Sequence, residues 1–166
     1  VVILSDNSYL KVGLETIYNS KKNKLPFDLL ILDAGNGDLY VMDFRFVNDS
    51  IGFEPISVFA QCRNSLYFRK SDIDGWHQEI LTNRNIKKSM PVQVVLTSRE
   101  VMVMQETLQG KHRKDIAAEA GISDKTVSLH KMNALRKLNM GSIAEFYSEY
   151  KRWEALWVRL SEVYAR

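Results

Sequence analysis

The sequence predicts a chain in two parts. An α/β N-terminal domain is built on a small parallel sheet, and an all-α C-terminal domain has four helices, the last of them extended. Three observations carry this reading. Short apolar runs alternate with helical patterns through residues 1–82. A polar stretch containing Pro91 fills residues 83–95 and interrupts any continuous helix. Residues 96–166 then carry helical periodicity to their end. The expected domains are therefore 1–82 and 96–166, joined by a linker at 83–95.

Each element has a local cause. Val1 to Leu4 is an apolar run with the character of a buried strand, and residues 8–19 place Leu10, Leu14 and Ile17 on one helical face. Phe27 to Leu32 is a second apolar run, closed by Asp33 and followed by the turn signal Gly35-Asn36-Gly37-Asp38. Residues 39–46 suit a strand or a short helix. Ile56 to Ala60 and Leu66 to Phe68 read as further strands, and residues 72–82 as a helix carrying Ile73, Trp76 and Ile80. Strands separated by helices favour parallel pairing.

In the C-terminal part, Thr97 and Glu100 form the two ends of a capping box, and Gly110 ends the helix that follows. A second helix spans about 112–119, with Ile116 and Ala117 inward. Ser123 caps a third, from about 124 to 138, with Val127, Leu135 and Leu138 as core contacts. Ala117, Gly121 and Val127 meet the needs of two closely crossing helices: a small residue at the crossing, glycine at the sharp turn, an apolar contact beyond it. That is helix-turn-helix spacing, and on spacing alone a helical hairpin for protein contacts remains open. Residues 142–165 form one amphipathic helix with Ile143, Phe146, Tyr150, Trp153 and Trp157 on its apolar stripe.

Charge is uneven. The net charge is +3, and all of it lies after residue 95; residues 111–137 hold 7 basic and 3 acidic side chains. A polyanion partner and a solvated helix face both fit that patch. One cysteine, Cys62, excludes an intrachain disulfide and fits a reducing, cytoplasmic setting. No run approaches the roughly 20 apolar residues of a membrane span, and Ser5-Asp6 cuts the apolar start too short for a signal peptide. His77, His112 and His130 are scattered, and neither a glycine-rich phosphate loop nor a nucleophile elbow is present. No metal, cofactor or catalytic residue is expected, so the chain does not read as an enzyme.

Residues 96–140 resemble the DNA-binding domain of the LuxR/NarL (GerE-type) transcription regulators. The resemblance rests on Leu96 to Glu100, Gly110, Lys114 to Ala117, Ile122-Ser123, Thr126-Val127, His130, Asn133 and Lys137-Leu138. It implies a four-helix bacterial domain, usually dimeric, whose third helix enters the major groove of double-stranded DNA. By position, Lys125, Ser128, Leu129, Lys131 and Met132 would face the groove. Thr126, His130, Asn133, Arg136 and Lys137 would face phosphates. Lysine and arginine would supply affinity through counterion release, and base edges specificity. Three positions depart from the family pattern: Ser128 is commonly lysine, Asn139 commonly glycine and Ile143 commonly arginine. A less charged groove face suits a regulator acting with a partner, as homodimer or heterodimer.

Residues 1–82 in turn resemble the receiver domain of response regulators, with Asp33 at the position of the phosphoacceptor and Lys70 near that of the family's lysine. The acidic pair that would hold Mg²⁺ is reduced to Ser5-Asp6, and Ala60 stands where Ser or Thr is expected. The reading is a truncated pseudo-receiver whose apolar surface a partner must cover, with Tyr150, Trp153 and Trp157 as candidate dimer contacts. The function expected is sequence-specific, phosphorylation-independent transcription regulation. An auxiliary regulator working through protein pairing, and a phosphoryl-accepting switch using Asp33, are the alternatives.

Overall fold

The computed structural model describes residues 1–20, 28–33, 35, 37–50, 52–63, 66–69, 75 and 96–164. The N-terminal part runs β1 (Val2–Leu4), α1 (Ser8–Asn19), β2 (Leu29–Asp33), β3 (Asp38–Asp43), α2 (Arg45–Ser50), α3 (Pro55–Arg63) and β4 (Leu66–Arg69). The C-terminal part is α4 (Ser98–Leu108), α5 (Arg113–Ala120), α6 (Asp124–Lys137) and α7 (Ile143–Tyr164). The expected linker, the helix at 72–82 and Lys70 lie outside the described residues, apart from Gly75.

The α/β class holds, with a four-stranded sheet among the described residues in the order β1-β2-β3-β4. Its pairing corrects the all-parallel expectation. β1 and β2 are parallel, Val2 opposite Leu30, with α1 in the crossover. β2 and β3 are antiparallel, Ile31 opposite Val41, and so are β3 and β4. For β2 and β3 the reason is length. A parallel return needs about a dozen residues or more, whereas residues 34–37 alone join β2 to β3, with Gly35 at φ 76° and Gly37 at φ 94°.

Ile56 to Ala60 is helix, not strand. Pro55 opens α3 with its φ already set, and the Glu54 carboxylate accepts from the backbone N–H of Ile56 and Ser57 at 2.8 Å each. Ile56, Val58, Phe59 and Ala60 are all buried, and a five-residue apolar run with Ser57 as its one polar residue is too short to reveal helical period. Residues 39–46 split between both alternatives. The strand ends at Asp43, whose Oδ1 accepts from Arg45 N–H at 2.9 Å as α2 begins.

The sheet is buried on both faces, which is why all five residues of β2 are buried. Leu29, Ile31, Leu39 and Val41 pack with Leu14 and Tyr18 of α1. Leu30, Leu32, Tyr40 and Met42 belong to a second cluster with Phe59 and Cys62 of α3 and with Phe146, Trp153, Trp157 and Leu160 of α7. The rings of Tyr150 and Trp153 each lie 5.4 Å from that of Phe59, and Trp157 lies 6.4 Å from Phe46.

This packing corrects two expectations. The apolar face of the shortened N-terminal part is covered by the chain's own last helix. Tyr150, Trp153 and Trp157, expected at a dimer contact, are 4%, 1% and 8% exposed and face this intrachain core. The length of α7 is explained by the sheet it reaches.

A buried polar knot ties the same layers. Arg63 of α3 is ion-paired with Glu149 of α7, and the Tyr40 hydroxyl donates to the Glu149 carboxylate at 3.2 Å. Arg63 Nε also donates to the Leu138 carbonyl at 3.0 Å, capping the end of α6.

Candidate nucleic-acid interface

Helices α4, α5 and α6 have their own small core of Val103, Ile116, Ala117 and Val127. Local chemistry fixes each end. The Thr97 hydroxyl accepts from Glu100 N–H at 3.2 Å, and Glu100 Oε2 accepts from Thr97 N–H at 2.8 Å, so both halves of the capping box form. Gly121 turns the chain from α5 to α6 at φ 65°, and Ile122 N–H closes on the Ala117 carbonyl at 3.0 Å. Ser123 Oγ accepts from Thr126 N–H at 3.1 Å at the start of α6.

Asn139 follows α6 at φ 53°. Its N–H reaches the Arg136 carbonyl at 3.1 Å and Met140 N–H reaches that of Leu135 at 2.9 Å, which is a Schellman ending. This left-handed position favours glycine, and asparagine tolerates it better than other side chains.

Glu100 does more than cap. It is 3% exposed and also accepts from Lys137 Nζ at 2.7 Å. Burial by itself would raise its carboxyl, but the Lys137 ammonium and the Thr97 donors outweigh burial and hold it below its ordinary value. A depressed carboxyl stabilises the fold fully above its unfolded pKa of about 4.3, and loses that contribution as pH falls through the folded value. The thermal midpoint of Glu100→Gln should therefore lie below that of the parent at neutral pH. The gap should close as pH falls below about 4, as read by circular dichroism melts. A gap independent of pH would contradict the assignment.

The expected recognition residues separate into a crest and two flanks. Lys125, Leu129, Met132 and Arg136 are exposed, and their spacing of four, three and four keeps them on one stripe. Leu129 is 53% and Met132 66% exposed, so two large apolar side chains stand in water on this stripe. Arg136, expected beside phosphates, joins this crest. Thr126, His130, Asn133 and Lys137 are half-buried on one flank, with Lys137 paired to Glu100. Ser128 and Lys131 are half-buried on the other, so both sit off the crest on which they were expected.

Sequence reasoning missed Arg113. Its Nη1 donates to Ser128 Oγ at 3.3 Å, and its Nε lies 3.5 Å from Asp124 Oδ2. The available signal was the crossing itself, which brings the start of α5 beside α6. Lys111, by contrast, is held by Glu106 and Glu119.

Asp33 ends β2 as expected and is 8% exposed. Its carboxylate accepts from Ser5 Oγ at 2.5 Å and from Gly35 N–H at 2.8 Å, the loop-closing role open to an Asp at a strand end. It borders a cavity of 330 Å³ shared with Asp6 and with Lys151, Arg152 and Arg159 of α7. Arg159 Nη1 pairs with Asp6 Oδ1 at 2.9 Å. Ala60, aligned with a position after a strand, lies inside α3. Burial pushes the Cys62 thiol up to about 12, so it carries no thiolate at neutral pH. Among the described residues no metal-binding group of three or more His, Cys, Asp or Glu side chains is found, and no helix is long and apolar enough to cross a membrane.

The family of bacterial regulatory proteins, luxR family, matches residues 94–149. The chain is 39% identical over 150 residues to the virulence-factor transcription regulator BvgA of Bordetella pertussis, covering 84% of this chain and 69% of that protein. It is 27% identical over 159 residues to the nitrate/nitrite response regulator protein NarP of Escherichia coli, covering 86% of this chain and 68% of NarP. A shorter match, 46% over 50 residues, links it to the transcriptional regulatory protein UhpA of Salmonella typhimurium, covering 30% of this chain and 26% of UhpA. No solved structure matches the chain.

Proposed function

The chain belongs to the LuxR family of bacterial regulatory proteins, and on that premise we propose that it is a sequence-specific, duplex-binding transcription regulator that inserts α6 into the major groove. It acts as a dimer in the cytoplasm and without phosphorylation of Asp33. One observation carries this reading above the others: the crest of Lys125, Leu129, Met132 and Arg136 is exposed on a helix whose two ends are fixed by caps and a glycine turn. Large apolar side chains held in water at the centre of a basic segment match thymine methyls in a groove walled by phosphates. Two half-sites one helical turn apart would be read by two copies.

Independence from phosphorylation has its own support. The Asp33 carboxylate is engaged by Ser5 and Gly35, and Ser5 stands where a second acid would help hold Mg²⁺. The cations of α7 face the same cavity.

The test is a duplex shift assay across a salt series. Binding should weaken steeply with salt. Lys125→Ala should weaken every duplex, whereas Leu129→Ala and Met132→Ala should each change discrimination at single base pairs by about 1–3 kcal/mol. Salt-insensitive binding would oppose the reading, as would an unchanged preference in both apolar variants.

A second reading, regulation through pairing with another regulator, is favoured by Tyr9 and Val12. These apolar neighbours on α1 are 90% and 61% exposed. DNA binding found only in a mixed complex, and lost in Tyr9→Ser with Val12→Ser, would decide for it.

A further inference from the structure

We propose that Arg113 of α5 and Lys131 of α6 form a two-cation clamp for a backbone phosphate on one wall of the major groove, with Ser128 between them. The inference rests on the duplex-binding reading above and adds to it a contact that neither α5 nor α6 would make alone.

The geometry comes from the crossing of two helices. Arg113 is the first residue of α5, and its guanidinium extends across to α6, where it donates to Ser128 Oγ at 3.3 Å. Lys131 lies one turn beyond Ser128 on the same flank, off the crest of Lys125, Leu129, Met132 and Arg136. The crest points into the groove. A flank turned away from it meets the groove's wall, which is phosphate and sugar. In a helix-turn-helix the first helix of the pair crosses the DNA backbone, which is where α5 delivers Arg113.

The electrostatics ask for an anion. Asp124 is the one carboxylate paired with this group among the described residues. Its Oδ2 is 3.5 Å from Arg113 Nε, and both side chains are well exposed, at 39% and 53%. A contact of that length between exposed groups neutralises little. Lys131 has no carboxylate partner among the described residues, and partial burial followed by the nearby Arg113 charge lowers its ammonium pKa. Two cations held close in the unbound protein repel. A phosphate between them converts that repulsion into two charge-assisted hydrogen bonds. Ser128 removes charge from α6 itself, and Arg113 returns it from the preceding helix to the same place.

The experiment uses the full chain on a selected duplex and on unrelated duplexes across a salt series. Arg113→Ala should weaken binding to all of them by a similar factor, about tenfold at moderate salt, and lower the salt slope by about one. The preferred sequence should not change. Adding Ser128→Lys to Arg113→Ala should restore the slope, because the cation returns from α6. Circular dichroism and the melting midpoint should stay at parental values, since Arg113 is half exposed. If the parent binds duplex in a salt-dependent way and Arg113→Ala matches it in affinity and slope, the clamp is wrong while the duplex-binding reading stands. A changed base preference in Arg113→Ala would make it a base reader and also overturn the clamp. A parent that binds no duplex at any salt would remove both.

Discussion

Trp153→Ala is expected to cost about 3–5 kcal/mol and to loosen both ends of the chain together. Trp153 is 1% exposed, and its ring lies 5.4 Å from those of both Phe59 and Trp157. It stands in the cluster that joins the sheet's second face to α3 and α7. Truncation removes apolar burial and leaves a cavity bounded by a sheet, which collapses poorly. Since whole domains are stable by roughly 5–15 kcal/mol, the variant should be marginal at room temperature. Urea unfolding followed by circular dichroism measures the loss, and limited proteolysis should show cleavage of the N-terminal part rising with it. A loss under about 1 kcal/mol would mean that α7 does not rest on the sheet.

The second large effect is at the polar knot. Glu149→Ala should destabilise by about 3–5 kcal/mol, because it leaves Arg63, 11% exposed at its side chain, as a buried guanidinium without that carboxylate. It also removes the Glu149 carboxylate that accepts from the Tyr40 hydroxyl. The double variant Arg63→Met with Glu149→Leu should recover much of the loss, since desolvating two charges offsets most of their attraction. Arg63 Nε also holds the Leu138 carbonyl at the end of α6. Glu149→Ala should therefore weaken duplex binding more than its distance from the crest suggests. A double variant no more stable than Glu149→Ala would contradict this account of the knot.

What could be read in the sequence was what is decided locally. Thr97, Glu100, Gly121 and Ser123 act within a few residues of themselves, and they place α4, α5 and α6 nearly to the residue. The helix at 8–19 was equally legible, from its apolar spacing. Burial from all sides erased the signal elsewhere. α3 opens on four buried apolar residues within Ile56 to Ala60 and so imitates a strand, and β2 shows that it is buried without showing against what.

The antiparallel return from β2 to β3 was held in the four residues that join them, too few for a parallel crossover. The aromatic stripe of α7 was visible, but its partner was not. An interface with a second molecule and a core inside one chain place the same demand on Tyr150, Trp153 and Trp157. Long-range polar partners were invisible for the same reason. Glu100 with Lys137, Arg63 with Glu149 and Arg113 with Ser128 join residues far apart in the chain, through crossings that only the fold supplies.

The most direct test of the central claim is selection of bound fragments from a pool of random-sequence duplexes, run in parallel with the purified parent chain and with Leu129→Ala plus Met132→Ala. The parent should enrich a defined motif. The variant should still bind duplex through its cations and enrich a different or weaker motif, because the crest of α6 has changed while the phosphate contacts remain. Enrichment of no motif by the parent, or of the same motif by both proteins, would contradict the assignment of α6 as the helix that reads DNA.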